Sequence, residues 1–160
     1  MKKWLCLLPV IFLTFTAFGK TRLPATNTIT ADVNGVTTVF AVSPRAVKKS
    51  GTAVLHSVML TASKNYTLPG VSLTITINSD WPIDKQTYTY SRANSTTSAI
   101  VEYSGDNDHA SFAPDETRYS PVTVTITSID NYSVEGTFSA SLSSNYGKVE
   151  ITNGHFSMRF

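Results

Sequence analysis

The sequence predicts an all-β protein, an antiparallel β-sandwich of about nine strands, from three observations: period-two apolar alternation, turn residues between the alternating runs, and no 3.6-residue period. Leu73, Ile75 and Ile77 alternate with Ser72, Thr74 and Thr76, and Val122, Val124 and Ile126 alternate with Thr123, Thr125 and Thr127. Successive side chains of a strand point to opposite faces, so each run offers an aliphatic face to a core and a hydroxyl face to water. A closed or partly open β-barrel carries the same alternation and remains the alternative.

Taken in chain order, Met1-Lys2-Lys3, the apolar run Trp4 to Phe18 and the polar Lys20, Thr21 and Arg22 follow the plan of a signal peptide. Ala17-Phe18-Gly19 puts small residues where a signal peptidase reads, which sets the signal at 1–19, a Pro24-containing tether at 20–26 and one domain at 27–160. The apolar run is short of the about 20 residues that cross a bilayer, so a cleaved signal is expected rather than an anchor.

Strands follow at Ile29 to Val33 and Val36 to Val42, joined by Asn34-Gly35, a dipeptide that tolerates the positive φ of a tight hairpin. Further strands are expected at Ala53 to Ala62, Leu73 to Ile77, Thr87 to Ser91, Ser98 to Tyr103 and Val122 to Thr127. Near the end, Val134, Gly136, Phe138, Ala140 and Leu142 share one face. Val149 and Ile151 form another apolar face, and so do Phe156, Met158 and Phe160, with Asn153-Gly154 predicted as a hairpin turn between them. Three connections exceed hairpin length: Ser43 to Thr52, Ser79 to Gln86, and Ser104 to Ser120, the last with room for a short edge strand at Ser111 to Phe112.

Charge and cysteine usage exclude several classes. Lys2 and Lys3 account for the whole excess of 13 basic over 11 acidic side chains, so the processed chain is formally neutral and lacks a nucleic-acid binder's footprint. The one cysteine, Cys6, lies within the signal, which leaves the domain without a disulfide, a thiolate nucleophile or a cysteine metal site. It also lies too early in the apolar run to be a lipid-attachment cysteine.

Val134-Glu135-Gly136-Thr137-Phe138-Ser139, followed by Val149 to Phe156, resembles the end of small exported domains of unknown function common in Bacteroidetes. Ala31-Asp32-Val33-Asn34-Gly35 and Ile83-Asp84-Lys85-Gln86-Thr87-Tyr88 are similar to matching parts of that family. Its members usually carry glycine where Gln86 stands, and many are lipoproteins with a cysteine where this chain has Gly19-Lys20. The resemblance implies an all-β fold in the cell envelope, and it brings no catalytic or ligand-binding residues.

Candidate chemistry is sparse. Asp106-Asn107-Asp108, beside Gly105 and near Glu102, Asp115 and Glu116, supplies a fragment of the oxygen cage that calcium needs, without the full spaced pattern. The same residues suit a solvated turn. His56, His109 and His155 are too far apart in sequence to form a local zinc motif, and no serine occupies a nucleophile elbow. Trp81, Tyr88, Tyr90, Tyr103 and Tyr119 fall in or beside loops; together they would form an aromatic platform for a glycan or protein, and singly they would pack the core or its edge. Asn65-Tyr66-Thr67, Asn94-Ser95-Thr96 and Asn131-Tyr132-Ser133 fit the glycosylation acceptor pattern at the rate expected of an Asn/Ser/Thr-rich chain.

The resulting expectation is an exported periplasmic or extracellular protein, not integral to the membrane, with no cofactor. It acts as a non-catalytic binding or structural module of the envelope whose partner is a glycan or an envelope protein. Two alternatives stay open. One is a glycan-acting hydrolase using Asp106, Asp108, Asp115 or Glu116; the other is an assembly subunit whose C-terminal strand, His155 to Phe160, adds to a partner's sheet.

Overall fold

The structure, a computed structural model, describes residues 26–50, 55–66, 70–90, 97–105, 111–115 and 121–160. Residues 1–25, where a signal, its cleavage point and most of the tether are expected from the sequence, lie outside them. The described residues form eleven strands and no helix: β1 (Thr28–Val33), β2 (Val36–Phe40), β3 (Val42–Lys49), β4 (His56–Ser63), β5 (Ser72–Ser79), β6 (Thr87–Thr89), β7 (Ser98–Ser104), β8 (Ser111–Phe112), β9 (Val122–Ile129), β10 (Ser133–Ser144) and β11 (Gly147–Arg159).

They build two sheets in which every neighbouring pair is antiparallel, a six-stranded one ordered β2-β1-β11-β10-β9-β6 and a five-stranded one ordered β3-β4-β5-β7-β8. Neither sheet closes on itself, so the architecture is the sandwich and not the barrel. The chain passes between the sheets at Ala41, where β2 runs almost directly into β3. A bridge from Ala113, just after β8, to Ser143 of β10 ties the five-stranded sheet to the other one.

Alternation decides which side of each strand faces the partner sheet. Ile29, Phe40, Val124, Val134 and Ile151 of the six-stranded sheet and Val58, Leu60, Leu73, Ile75, Ile77 and Val101 of the other are buried in a single apolar cluster. Each such side chain stabilises the fold by roughly 1.5–3 kcal/mol through removal from water. The Asn34-Gly35 hairpin forms as expected, with φ of 50° and 79°. Short strand β8 sits at the anticipated place as an edge.

Two readings of the sequence are corrected. Asn153-Gly154 is not a hairpin turn: β11 runs through it unbroken, and the turn is made by Asn145-Tyr146 ahead of Gly147 at φ 135°. Asn153, at φ 50°, instead forms a bulge, placing one extra residue in β11 relative to both β10 and β1. An extra residue reverses the alternation, which is why buried Val149 and Ile151 are odd-numbered and buried Phe156 and Met158 even-numbered.

The stretch Ser43 to Thr52 is not a long loop either, because Val42–Lys49 is edge strand β3. Pro44, Arg45, Lys48 and Lys49 hide its pattern, and these residues are suited to an edge that must not recruit another strand. Lys48 points toward the end of the core, donating to the Asp130 carbonyl at 3.2 Å with its ammonium 5.7 Å from the Phe160 ring centre.

The β10–β11 ladder carries a reciprocal lock beside the bulge. Phe138 lies opposite Gly154, and Phe156 lies opposite Gly136. A Cβ on Gly154 would stand 2.5 Å from the Phe138 carbonyl oxygen and 2.6 Å from its ring. A Cβ on Gly136 would meet the Thr125 carbonyl and the Phe156 ring. Each ring thus occupies the space that its facing glycine leaves empty.

Candidate functional site

The outward faces of the six-stranded sheet meet in register. Thr87 lies opposite Thr125, Thr125 opposite Thr137, Thr137 opposite His155, His155 opposite Thr30, and Thr30 opposite Val39. One cross-strand row therefore spans all six strands, with hydroxyls on four of them and a single imidazole in the third position from the β2 edge. Neighbouring strands stand about 4.8 Å apart, so the row is roughly 24 Å long.

Parallel rows continue the polar surface. Thr89, Thr123 and Ser139 follow on one side, and Thr28, Ser157 and Glu135 on the other. Threonine and serine side chains are short, whereas His155, Asn153 and Glu135 stand taller, so hollows form between them. One of about 250 Å³ lies among Thr123, Thr125, Thr137, Ser139, Asn153 and His155. A second of about 320 Å³ lies among Thr28, Thr30, Thr127, Glu135, His155 and Ser157. Both are shallow and open, and His155 and Thr137 border each of them.

The bulge fixes one corner of this face. Asp32 accepts a hydrogen bond from the Thr37 hydroxyl at 2.6 Å and another from the Asn153 amide at 2.8 Å. The Thr37 bond, then the Asn153 bond, holds its carboxyl below the ordinary value of 3.8. At the far edge the Thr87 and Thr125 hydroxyls share a 2.9 Å bond. Among the described residues, the side chains of Thr30, Thr137 and His155 have no hydrogen-bond partner within the protein, so the middle of the row offers donors and acceptors to a ligand.

The described aromatic residues Trp81, Tyr88, Tyr90 and Tyr103 do not gather on one exposed face. Tyr88 is 2% exposed, its hydroxyl accepting from the Asp84 amide at 3.0 Å and donating to the Asp84 carbonyl at 3.3 Å. Tyr90 and Tyr103 pack against the core, Tyr103 with its ring 6.1 Å from that of Phe112. Trp81 is 76% exposed on the β5–β6 connection. Tyr103 faces Leu73 at the other end of β5, about 20 Å from Ser79 at the spacing of an extended strand. Tyr119 lies outside the described residues. The physical reason is alternation: Tyr103 shares the inward phase of β7 with Ala99 and Val101, and Tyr88 takes the inward phase of β6 opposite buried Val124.

Of the acidic candidates, Asp106, Asp108, Glu116 and the nearby His109 lie outside the described residues. Glu102 is exposed on the outer face of β7, opposite Thr74, and Asp115 follows β8. Among the described residues no three of His, Cys, Asp and Glu gather in a metal-binding group. No described helix is long and apolar enough to cross a membrane.

The hydroxyl row was not singled out by sequence reasoning, which treated each threonine run as an ordinary wet face. Its components were visible as alternating threonines, and only the register aligns them. Comparison of the chain with protein-family models, with curated proteins and with solved structures finds no match.

Proposed function

We propose that this protein is an exported, non-catalytic module of the cell envelope that binds a hydroxyl-rich polymer, a glycan, across the outer face of its six-stranded sheet. The observation that carries the reading is the row Thr87-Thr125-Thr137-His155-Thr30, with unpartnered polar side chains at its centre and a hollow on each side. A flat, open polar face suits an extended chain of hydroxyls better than a small molecule, which is usually held in a deep apolar pocket. Hydroxyl, imidazole and amide groups can each donate or accept, as sugar hydroxyls do.

The signal-like residues 1–19 support export. The test is thermal unfolding of the purified protein and its Thr137→Ala and His155→Ala variants against a panel of soluble polysaccharides. A ligand of the native state raises the midpoint. The expected result is a rise with one class of glycan that both variants reduce. A rise that both variants retain overturns the assignment of the face, and release of reducing sugar overturns the non-catalytic reading.

A further inference from the structure

Among the described residues the sandwich has four edge strands, and three of them are protected. Strand β6 has three residues and β8 has two, too short to template another strand. Strand β3 carries Pro44, Arg45, Lys48 and Lys49, and its ladder to β4 is interrupted between Val42 and Arg45. Strand β2, Val36-Thr37-Thr38-Val39-Phe40, has no charge, no proline and no bulge, and it exposes Val36 at 67% and Val39 at 51%. The C-terminal strand is not the assembly edge that its sequence suggested, because β11 is paired on both sides, with β1 and with β10.

The hairpin fixes which main-chain groups β2 leaves open. Val33 and Val36 flank a two-residue turn and form a hydrogen-bonded pair, so Val36, Thr38 and Phe40 direct their N–H and C=O toward β1. Thr37 and Val39 therefore direct theirs away from the sheet. These two residues sit symmetrically about Thr38, the middle of the strand. We propose that β2 pairs antiparallel with β2 of a second copy of this chain about a two-fold axis at Thr38, so that Thr37 faces Val39 of the second copy and Val39 faces its Thr37.

A two-fold interface must be self-complementary, and this one is: both open residues find their hydrogen-bonding partners in the same two residues of the other copy. No charge opposes a like charge, since the outward row across the junction reads Asp32, Thr37, Val39 and Thr30 in each direction. The six-stranded sheets become one sheet of twelve strands. Adjacent strands stand about 4.8 Å apart, so the two copies of β1, which border the larger hollow, come within roughly 14 Å. A polymer lying across the junction would then engage both polar faces, and its affinity would gain from the linkage.

Sedimentation velocity across a concentration series, combined with amide hydrogen exchange on the same samples, tests this. The expected result is a mass that doubles with concentration, while the Thr37 and Val39 amides slow at least tenfold and those of Thr38 and Phe40 stay protected throughout. Val39→Pro, which removes one outward N–H at an edge position that tolerates proline, and Val39→Lys, which places a charge there, are both expected to be monomeric with parental circular dichroism. A parent that stays monomeric at hundreds of micromolar, or a dimer whose Thr37 and Val39 amides exchange as fast as the monomer's, overturns the proposal. So does a dimer that survives in both folded variants.

Discussion

Substituting Gly154 by alanine probes the lock between β10 and β11. The added Cβ would stand 2.5 Å from the Phe138 carbonyl oxygen and 2.6 Å from two carbons of its ring, well inside van der Waals contact. The carbonyl is held in the ladder, and the ring is boxed between strands with Phe156 at 6.4 Å, so neither retreats without loss elsewhere. Overpacking of this kind costs about 1–3 kcal/mol. For a domain of this size each kcal/mol moves the thermal midpoint by about 3–4 °C, so Gly154→Ala is expected to lower it by roughly 3–12 °C. Phe138→Ala alone opens a cavity and costs about 3–5 kcal/mol. In the double variant the methyl enters space that the ring has vacated, so the combined loss is expected to fall short of the sum by about 0.5–3 kcal/mol. Chemical denaturation of the four proteins gives the cycle directly. A Gly154→Ala protein within about 0.5 kcal/mol of the parent, or strict additivity in the double variant, would refute the lock.

Two further outcomes follow from single contacts. Asp32 has a folded-state affinity for protons below that of the unfolded chain, so its ionised form contributes stability above its ordinary value of 3.8, and this is lost as pH falls through the lower folded value. Asp32→Asn is therefore expected to unfold at a lower temperature than the parent at neutral pH and to converge with it in acid. Parallel curves down to pH 2 would show that the Thr37 and Asn153 bonds do not favour the carboxylate. Tyr88→Phe keeps the buried ring and removes the hydroxyl bonded to the Asp84 backbone, with an expected loss of about 1 kcal/mol in urea unfolding. An unchanged protein would mean that water replaces those bonds.

The sequence made the two-layer class legible because burial follows alternation residue by residue: Leu73, Ile75 and Ile77 inward, Thr74 and Thr76 outward. It also made the first hairpin legible, since Asn34-Gly35 needs only local geometry. Asn153-Gly154 was misread for the same local reason. Positive φ at Asn serves a turn or a bulge equally well, and only pairing with β1 and β10 on both sides separates them. The reversal of phase between Ile151 and Phe156 was the trace of that bulge. Strand β3 was hidden because an edge residue need not alternate when one side meets solvent and protective charges occupy the other. The polar face was legible one strand at a time, and its row of six was not, because a one-residue slip between any two strands would scatter it. The Tyr88 and Tyr103 positions followed their strand phase into the core, which loop proximity in the sequence concealed.

The most direct test of the binding face is an amide chemical-shift map of the isotopically labelled protein titrated with a glycan that raises its midpoint. The account predicts the largest changes at Thr125, Thr137, Asn153, His155 and Thr30, with the five-stranded sheet and the connection carrying Trp81 unmoved. Changes centred on Trp81, or on the chain between Ser104 and Ser120, with the hydroxyl row silent, would contradict it.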